Sequence, residues 1–328
     1  MPTRSRRAHA RLKLAKGQFV DGPAKPMTEK LVSVIMPACN AERYICKALE
    51  SVGAQTYRNW EIIVVNDGGT DATGRMVAEF AQQTPRKVTL LEHAQSRGPS
   101  AARNTAMKAA RGEYLAFLDA DDIWMPEHLS RLCAVLDSGK ADLAYAGGYV
   151  FRETPLAEIE LLPIDTIEVK NPRQDLFRRN YFNTSAAAIT RRLMEAAGEF
   201  DESLWAGEEW DYWIRAAALG FEIAATGEQT YYYRKSAGSL SAVPAKMAES
   251  SGRMFEKHRR CGILPEGEIV SRARASYFAA GRMVWREDPA ASSRMFHKSW
   301  SLSKVHVLPL VCWFLAAGLS LARPHRSQ

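Results

Sequence analysis

Between residues 31 and 118 four nearly unbroken apolar runs, LVSVIM, EIIVV, VTLLE and EYLAFL, alternate with segments whose apolar residues recur at helical spacing. Strands this continuous in apolar residues are buried on both faces, and helices between them supply the cover, so the pattern predicts a mainly parallel sheet. Tyr44, Ile45, Ala48, Leu49 and Val52 share one helical face. Met76, Val77 and Phe80 share another, behind a cap at Thr70 or Asp71. An alanine-rich helix from Pro99 to Ala110 breaks at Gly112. Beyond it, PEHLSRLCAVL and GEEWDYWIRAAALGF read as helices, and DLAYAGGYVF, NTSAAAIT and EQTYYYRK as strands; residues 156–172 have a mixed pattern. From Pro244 onward the chain reads as helices. The expected class is α/β, a doubly wound, Rossmann-like domain followed by a C-terminal helical region.

Ligands of such sheets bind beyond the carboxyl ends of the strands. That edge should gather PACNAE, NDGGTD and DADD, each of which follows an apolar strand. Asp119, Asp121 and Asp122 put three carboxylates in four positions, an unfavourable arrangement unless a cation or a set of donors neutralises it. Asp119 and Asp121 suit a hard divalent ion that also takes phosphate oxygens; a turn and a helix cap would use the same residues without metal. In NDGGTD the glycines let the backbone approach a ligand, and Asp67 can accept from a base or ribose edge; a plain glycine turn fits equally well. Arg97 and Arg103 offer positive charge to a diphosphate.

Five scattered cysteines without Cys-x-x-Cys spacing argue against a disulfide framework or zinc site and favour a reducing compartment. The +7 net charge is concentrated at the N-terminus, where Arg4, Arg6, Arg7, Arg11, Lys13 and Lys16 precede the first acid, Asp21. This reads as a disordered tail, either solubilising or attracted to anionic lipid or nucleic acid. No apolar run of signal-peptide length precedes residue 30, which predicts a cytoplasmic protein. VHVLPLVCWFLAAGLSLA, residues 305–322, is followed by Arg323, His325 and Arg326. It is open to three arrangements: an in-plane or re-entrant membrane helix, a helix packed on the domain, or a span.

VSVIMPACNAERYICKALESVGAQTYRNWEIIVVNDGGTDAT resembles the opening of a family 2 glycosyltransferase of the GT-A fold, and RGPSAARNTAMKAARGEYLAFLDADDIW continues the likeness. GEFDESLWAGEEWDYWIRAAALGF and YYYRKSAGSLS are similar to the acceptor-side motifs of that family, so the resemblance covers most of residues 31–241. It implies inverting, Mn²⁺- or Mg²⁺-dependent, non-processive transfer from a nucleotide-diphosphate sugar, UDP-sugar foremost, to a hydroxyl of a glycan or lipid-linked glycan, as in cell-envelope or exopolysaccharide assembly.

By position in the motifs, Pro37, Asn40 and Glu42 border the nucleotide pocket and Asp67 holds the base. Arg103 and Asn104 lie near the donor, while Asp119 and Asp121 match Asp-x-Asp, the second acid reaching the metal and the first the ribose. Glu209, beside Glu208, stands where the family has an aspartate base; GEEWD is also an ordinary acidic first turn. Asp211 is a substitute base on another side of the helix. Asn66 replaces a common aspartate, and Ser236 stands where many relatives have a histidine. These departures motivate an alternative, a degenerate GT-A protein that binds nucleotide or glycan, or scaffolds an assembly, without turnover. A nucleotidyltransferase is disfavoured because its glycine-rich basic loop is missing.

The expected organisation is a basic tail (1–30), a GT-A domain (31–241), a helical extension (242–304) and a membrane-associating segment (305–328). The expected location is cytoplasmic, peripheral on the inner face of the plasma membrane in contact with anionic lipid. No nucleic-acid partner is expected.

Overall fold

A computed structural model describes residues 29–152, 159–161, 171–235, 243–303 and 307–322. The basic run at 1–28, Ser236 and the basic residues after 322 lie outside these.

The strands are β1 (Val32–Ala38), β2 (Trp60–Asp67), β3 (Val88–His93), β4 (Tyr114–Phe117), β5 (Ile123–Trp124), β6 (Leu143–Phe151), β7 (Ile159–Leu161), β8 (Ala187–Thr190) and β9 (Ile223–Arg234). Among the described residues they form one sheet in the order β3-β2-β1-β4-β8-β6-β9-β5, with β7 beside β6. β3, β2, β1 and β4 run parallel, as do β6 and β9, whereas β8, β5 and β7 run against their neighbours. Every residue of β2 is buried, as the unbroken apolar pattern requires. Glu61, near its start, is compensated there by Ser33 and Arg111, which donate to it at 2.8 and 3.0 Å.

Helices α1 (Ile45–Gly53), α2 (Thr73–Gln83), α3 (Pro99–Ala109) and α4 (His128–Asp137) connect the early strands. α1 buries Ile45, Ala48, Leu49 and Val52, the face expected from spacing. α5 (Pro172–Arg178), α6 (Arg191–Ala197) and α7 (Glu208–Ala218) follow, and α8 (Pro244–Lys257), α9 (Glu266–Val284), α10 (Pro289–Leu302) and α11 (Val307–Ala322) make the C-terminal region all-helical. No helix of the described residues is long and apolar enough to cross a membrane; α11 instead packs on α10, with Trp313 and Trp300 stacked at 6.2 Å.

Strand order reverses at β1, which has β2 on one side and β4 on the other. This is the switch point where α/β sheets open a crevice. Register places Ala38 beside Asn66 and Ile35 beside Phe117, so the segments after β1, β2 and β4 emerge side by side.

Candidate active site

The DADD segment separates its three acids into different environments. Asp122 donates its backbone N–H to the Asp119 carbonyl at 3.0 Å, closing a tight turn. Its buried carboxylate accepts from Ser185 Oγ at 2.5 Å and from the Arg234 backbone N–H at 2.8 Å. Burial and the neighbouring aspartates push this carboxyl well up, and its role is to clamp the turn to the end of β9. Asp119 accepts from the Arg103 guanidinium at 2.7 Å. The Asp121 carboxylate receives no side-chain hydrogen bond among the described residues. Burial and the adjacent Asp119 push it up to about 6, outweighing the opposing charges of Arg234 and Arg103.

Arg103 projects from α3 and is 3% exposed. One terminal nitrogen holds Asp119 and the other holds Glu208 at 2.6 Å, while its Nε has no partner. A fully charged guanidinium is kept in this buried position because two carboxylates outweigh the desolvation. The strand-end acids and the first turn of α7 are thereby joined.

Gly207, at φ 72°, turns the chain into α7 and delivers Glu208 and Glu209 to this edge. Glu209 Oε1 accepts from Asn180 Nδ2 at 2.8 Å, and the Asn180 Oδ1 is buried without a partner. Burial foremost, then the Glu208 charge, pushes the Glu209 carboxyl up to about 8. Asp211 is turned elsewhere: fully buried, it meets Arg215 Nε at 2.9 Å, His258 Nε2 at 2.8 Å and Lys257 Nζ at 2.9 Å. Against burial, which favours the neutral acid, the His258 hydrogen bond and the Arg215 and Lys257 partners hold its carboxyl below the usual range. This lock between α7 and α8 corrects the expectation of Asp211 as a substitute base.

On the nucleotide side, Asp67 is 3% exposed at the end of β2. It faces His93 Nδ1 at 2.5 Å and accepts from Ser96 Oγ at 2.8 Å, Gly98 N–H at 2.8 Å and Arg97 N–H at 3.0 Å. Although burial opposes ionisation, these donors hold its carboxyl below the ordinary value. Asp67 therefore anchors the 93–98 loop, and its oxygens are already engaged by protein donors. Asn40, at φ 48°, accepts from the Thr70 N–H at 2.9 Å. Glu42 accepts from Ala72 N–H at 3.0 Å and gives its own N–H to Asp71 at 2.9 Å. Pro37 lies half-buried in β1 beside Val65. Asn104, buried on α3, clasps the Phe200 backbone with bonds of 2.7 and 3.0 Å and steadies the approach to α7.

The structure thus brings Arg103, Asp119, Asp121, Glu208 and Glu209 to one edge and gives Asp67 and Asn104 supporting positions. Sequence reasoning missed Asn180, Ser185 and Arg234. Asn180 lies in an irregular segment, and Ser185 in a single 3-10 turn (Thr184–Ala186) within a stretch that reads as a strand, so neither pattern carries a chemical signal. Trp213 and Tyr231 are core residues without exposed surface, and Trp210 ties its indole N–H to the Leu176 carbonyl at 2.6 Å.

Among solved structures, Staphylococcus aureus TarS 1-349 in complex with UDP superposes with TM-score 0.62 at 18% identity, over 90% of this chain and 93% of that one. The mannosyltransferase PcManGT from Pyrobaculum calidifontis, in complex with GDP-Man and Mn²⁺, gives 0.60 at 20% identity, over 92% and 83%. Sheet order and acid placement define a GT-A domain. Residues 33–194 match the model of glycosyl transferase family 2. A curated relative, the Escherichia coli UDP-Glc:alpha-D-GlcNAc-diphosphoundecaprenol beta-1,3-glucosyltransferase WfgD, is 40% identical over 123 residues, 38% of this chain and 47% of that protein. The chain thus spans about half the length of that relative. Its residues 33–194 belong to glycosyltransferase family 2.

Proposed function

We propose that this chain is an inverting, non-processive glycosyltransferase that moves one sugar from a nucleotide-diphosphate sugar, a UDP-sugar foremost, to a hydroxyl of a lipid-linked glycan. The observation that carries the reading is the Arg103 bridge, which ties the strand-end acid Asp119 to Glu208, the neighbour of Glu209, at 2.7 and 2.6 Å. Donor-side and acceptor-side groups are thereby held in one buried network.

A divalent ion fits this edge on the chemistry of its donors. Asp121 has an oxygen-donor carboxylate that accepts no side-chain hydrogen bond among the described residues, and Asp119 keeps an oxygen beyond the one on Arg103. Among the described residues no set of three or more His, Cys, Asp or Glu side chains is arranged for a metal. Two carboxylates would therefore hold Mn²⁺ or Mg²⁺, with diphosphate oxygens and water completing the shell. When bound, the ion offsets the charge that develops on the departing diphosphate. Arg103 keeps Asp119 turned to the donor. Glu209 takes the acceptor hydroxyl proton as the oxygen attacks the anomeric carbon from the face opposite the leaving group, and Asn180 orients that carboxylate. The acceptor named for WfgD, a GlcNAc on diphosphoundecaprenol, supports a lipid-linked acceptor and action at a membrane surface.

The test is a screen of nucleotide sugars with lipid-linked glycan acceptors, reading nucleoside diphosphate release. Metal-dependent release that needs both donor and acceptor is expected. Nucleotide binding without release for any competent pair would instead make the chain a binding protein.

A further inference from the structure

Charge is segregated along this chain. Residues 31–242 carry 22 Lys and Arg against 29 Asp and Glu, whereas residues 243–328 carry 14 against 6. The basic part is the one that exposes apolar side chains in a cluster. On α11, Val311, Phe314 and Leu315 are 47%, 62% and 56% exposed, and their spacing puts them on one helical stripe. The opposite side of that helix is fixed to the protein by Trp313 on Trp300 and by buried Ala316.

Between α9, α10 and α11 lies a groove of about 540 Å³. Phe278, Met283, Trp285 and Phe296 give it apolar walls, Cys312 lines it from α11, and two cations, Arg282 and Arg286, line it with one acid, Glu287. Cys312 lies about 60° around the helix from Leu315, so groove and stripe border one another. Arg282 is exposed and forms no ion pair among the described residues. Met283, half exposed beside it, extends the apolar area.

We propose that α9, α10 and α11 form a docking surface for a bilayer of anionic phospholipid. Val311, Phe314 and Leu315 enter the headgroup boundary, α11 lies in the plane, and the groove under Arg282 receives the chain of a lipid whose phosphate pairs with the guanidinium. An apolar stripe set in a basic surface is the physical signature of in-plane membrane binding. Its use, bringing the site to a lipid-linked acceptor, rests on the transferase reading; the binding itself does not.

The test is flotation of the full chain with vesicles of phosphatidylcholine alone or mixed with phosphatidylglycerol, comparing wild type, Phe314→Ser with Leu315→Ser, and Arg282→Glu. All three residues replaced are exposed, and unchanged melting curves establish that the variants fold. The expected result is binding that requires phosphatidylglycerol, weakens with salt, and falls by roughly tenfold or more in each variant. Nucleotide binding by calorimetry should stay unchanged, which separates failure of this surface from failure of the transferase reading. Equal vesicle binding by all three proteins would assign the attraction to the basic run before Lys16 and overturn the proposal. Concentration-dependent self-association lost in the variants, without vesicle binding, would overturn it in favour of a second copy of this chain.

Discussion

Glu209 and Asn180 are the residues on which the chemistry turns. With its carboxyl pushed up to about 8 by burial and by Glu208, Glu209 is mostly protonated at neutral pH, and a proton acceptor must be ionised. Turnover should therefore rise as pH climbs through about 8 and be lost below it, measured as kcat/KM for acceptor with metal held saturating. Glu209→Gln should lower kcat by about 10²–10⁴ while leaving nucleotide binding intact. Asn180 donates to the ionised form, so Asn180→Ala should reduce kcat by roughly tenfold, leave the donor KM in place, and move the pH rise further alkaline. A pH profile unchanged in Asn180→Ala would show that the amide has only a packing role. The acidic pair was legible in the sequence because an ordered family pattern surrounds it. Its partner was not, since Asn180 sits 29 residues upstream in a segment with neither periodicity nor motif. Asp211 was legible as an acid but not as a structural one, because Lys257 and His258 reach it from the end of α8 and join Arg215, one turn along α7.

Elements decide how rigidly those residues are offered. The turn after β2 needs Gly68 at φ 68°, where an added Cβ would come 2.2 Å from the Ser96 backbone nitrogen. Gly68→Ala should cost about 1–2 kcal/mol for the left-handed conformation alone, and more for the collision, read as a lowered denaturant midpoint. Arg103 is the corresponding pin between α3, the end of β4 and α7. Arg103→Ala leaves buried Glu208 and half-buried Asp119 uncompensated and should destabilise by about 3–5 kcal/mol, detectable in the same measurement. The parallel strands β1, β2, β3 and β4, with the helices between them, were readable from unbroken apolar runs, whose physical cause is burial on both faces. β8 was readable as a strand but not in direction, because alternation and apolarity carry no sign, and the two-residue β5 is too short to leave a pattern. The β9 strand begins at Ile223 rather than at EQTYYYRK, since pairing with β6 from Leu143 onward extends it across a register shift.

For the molecule as a whole, the site exists only when the fold is complete. The Arg103–Glu208 contact closes a sequence separation of 105 residues, and the Asp122–Arg234 contact closes 112. Nucleotide binding and native structure should therefore disappear together in a denaturant titration, and a nucleotide that binds only the folded chain should raise the midpoint. The account's central claim is that one edge of the sheet divides two tasks: Asp121 serves the donor and its metal, and Glu209 serves the acceptor. Titration calorimetry of UDP with Mn²⁺ into wild type, Asp121→Ala and Glu209→Gln tests that division most directly. The account predicts metal-dependent binding that is equal in wild type and Glu209→Gln and lost in Asp121→Ala; binding that Asp121→Ala leaves untouched, or that needs no metal, would contradict it.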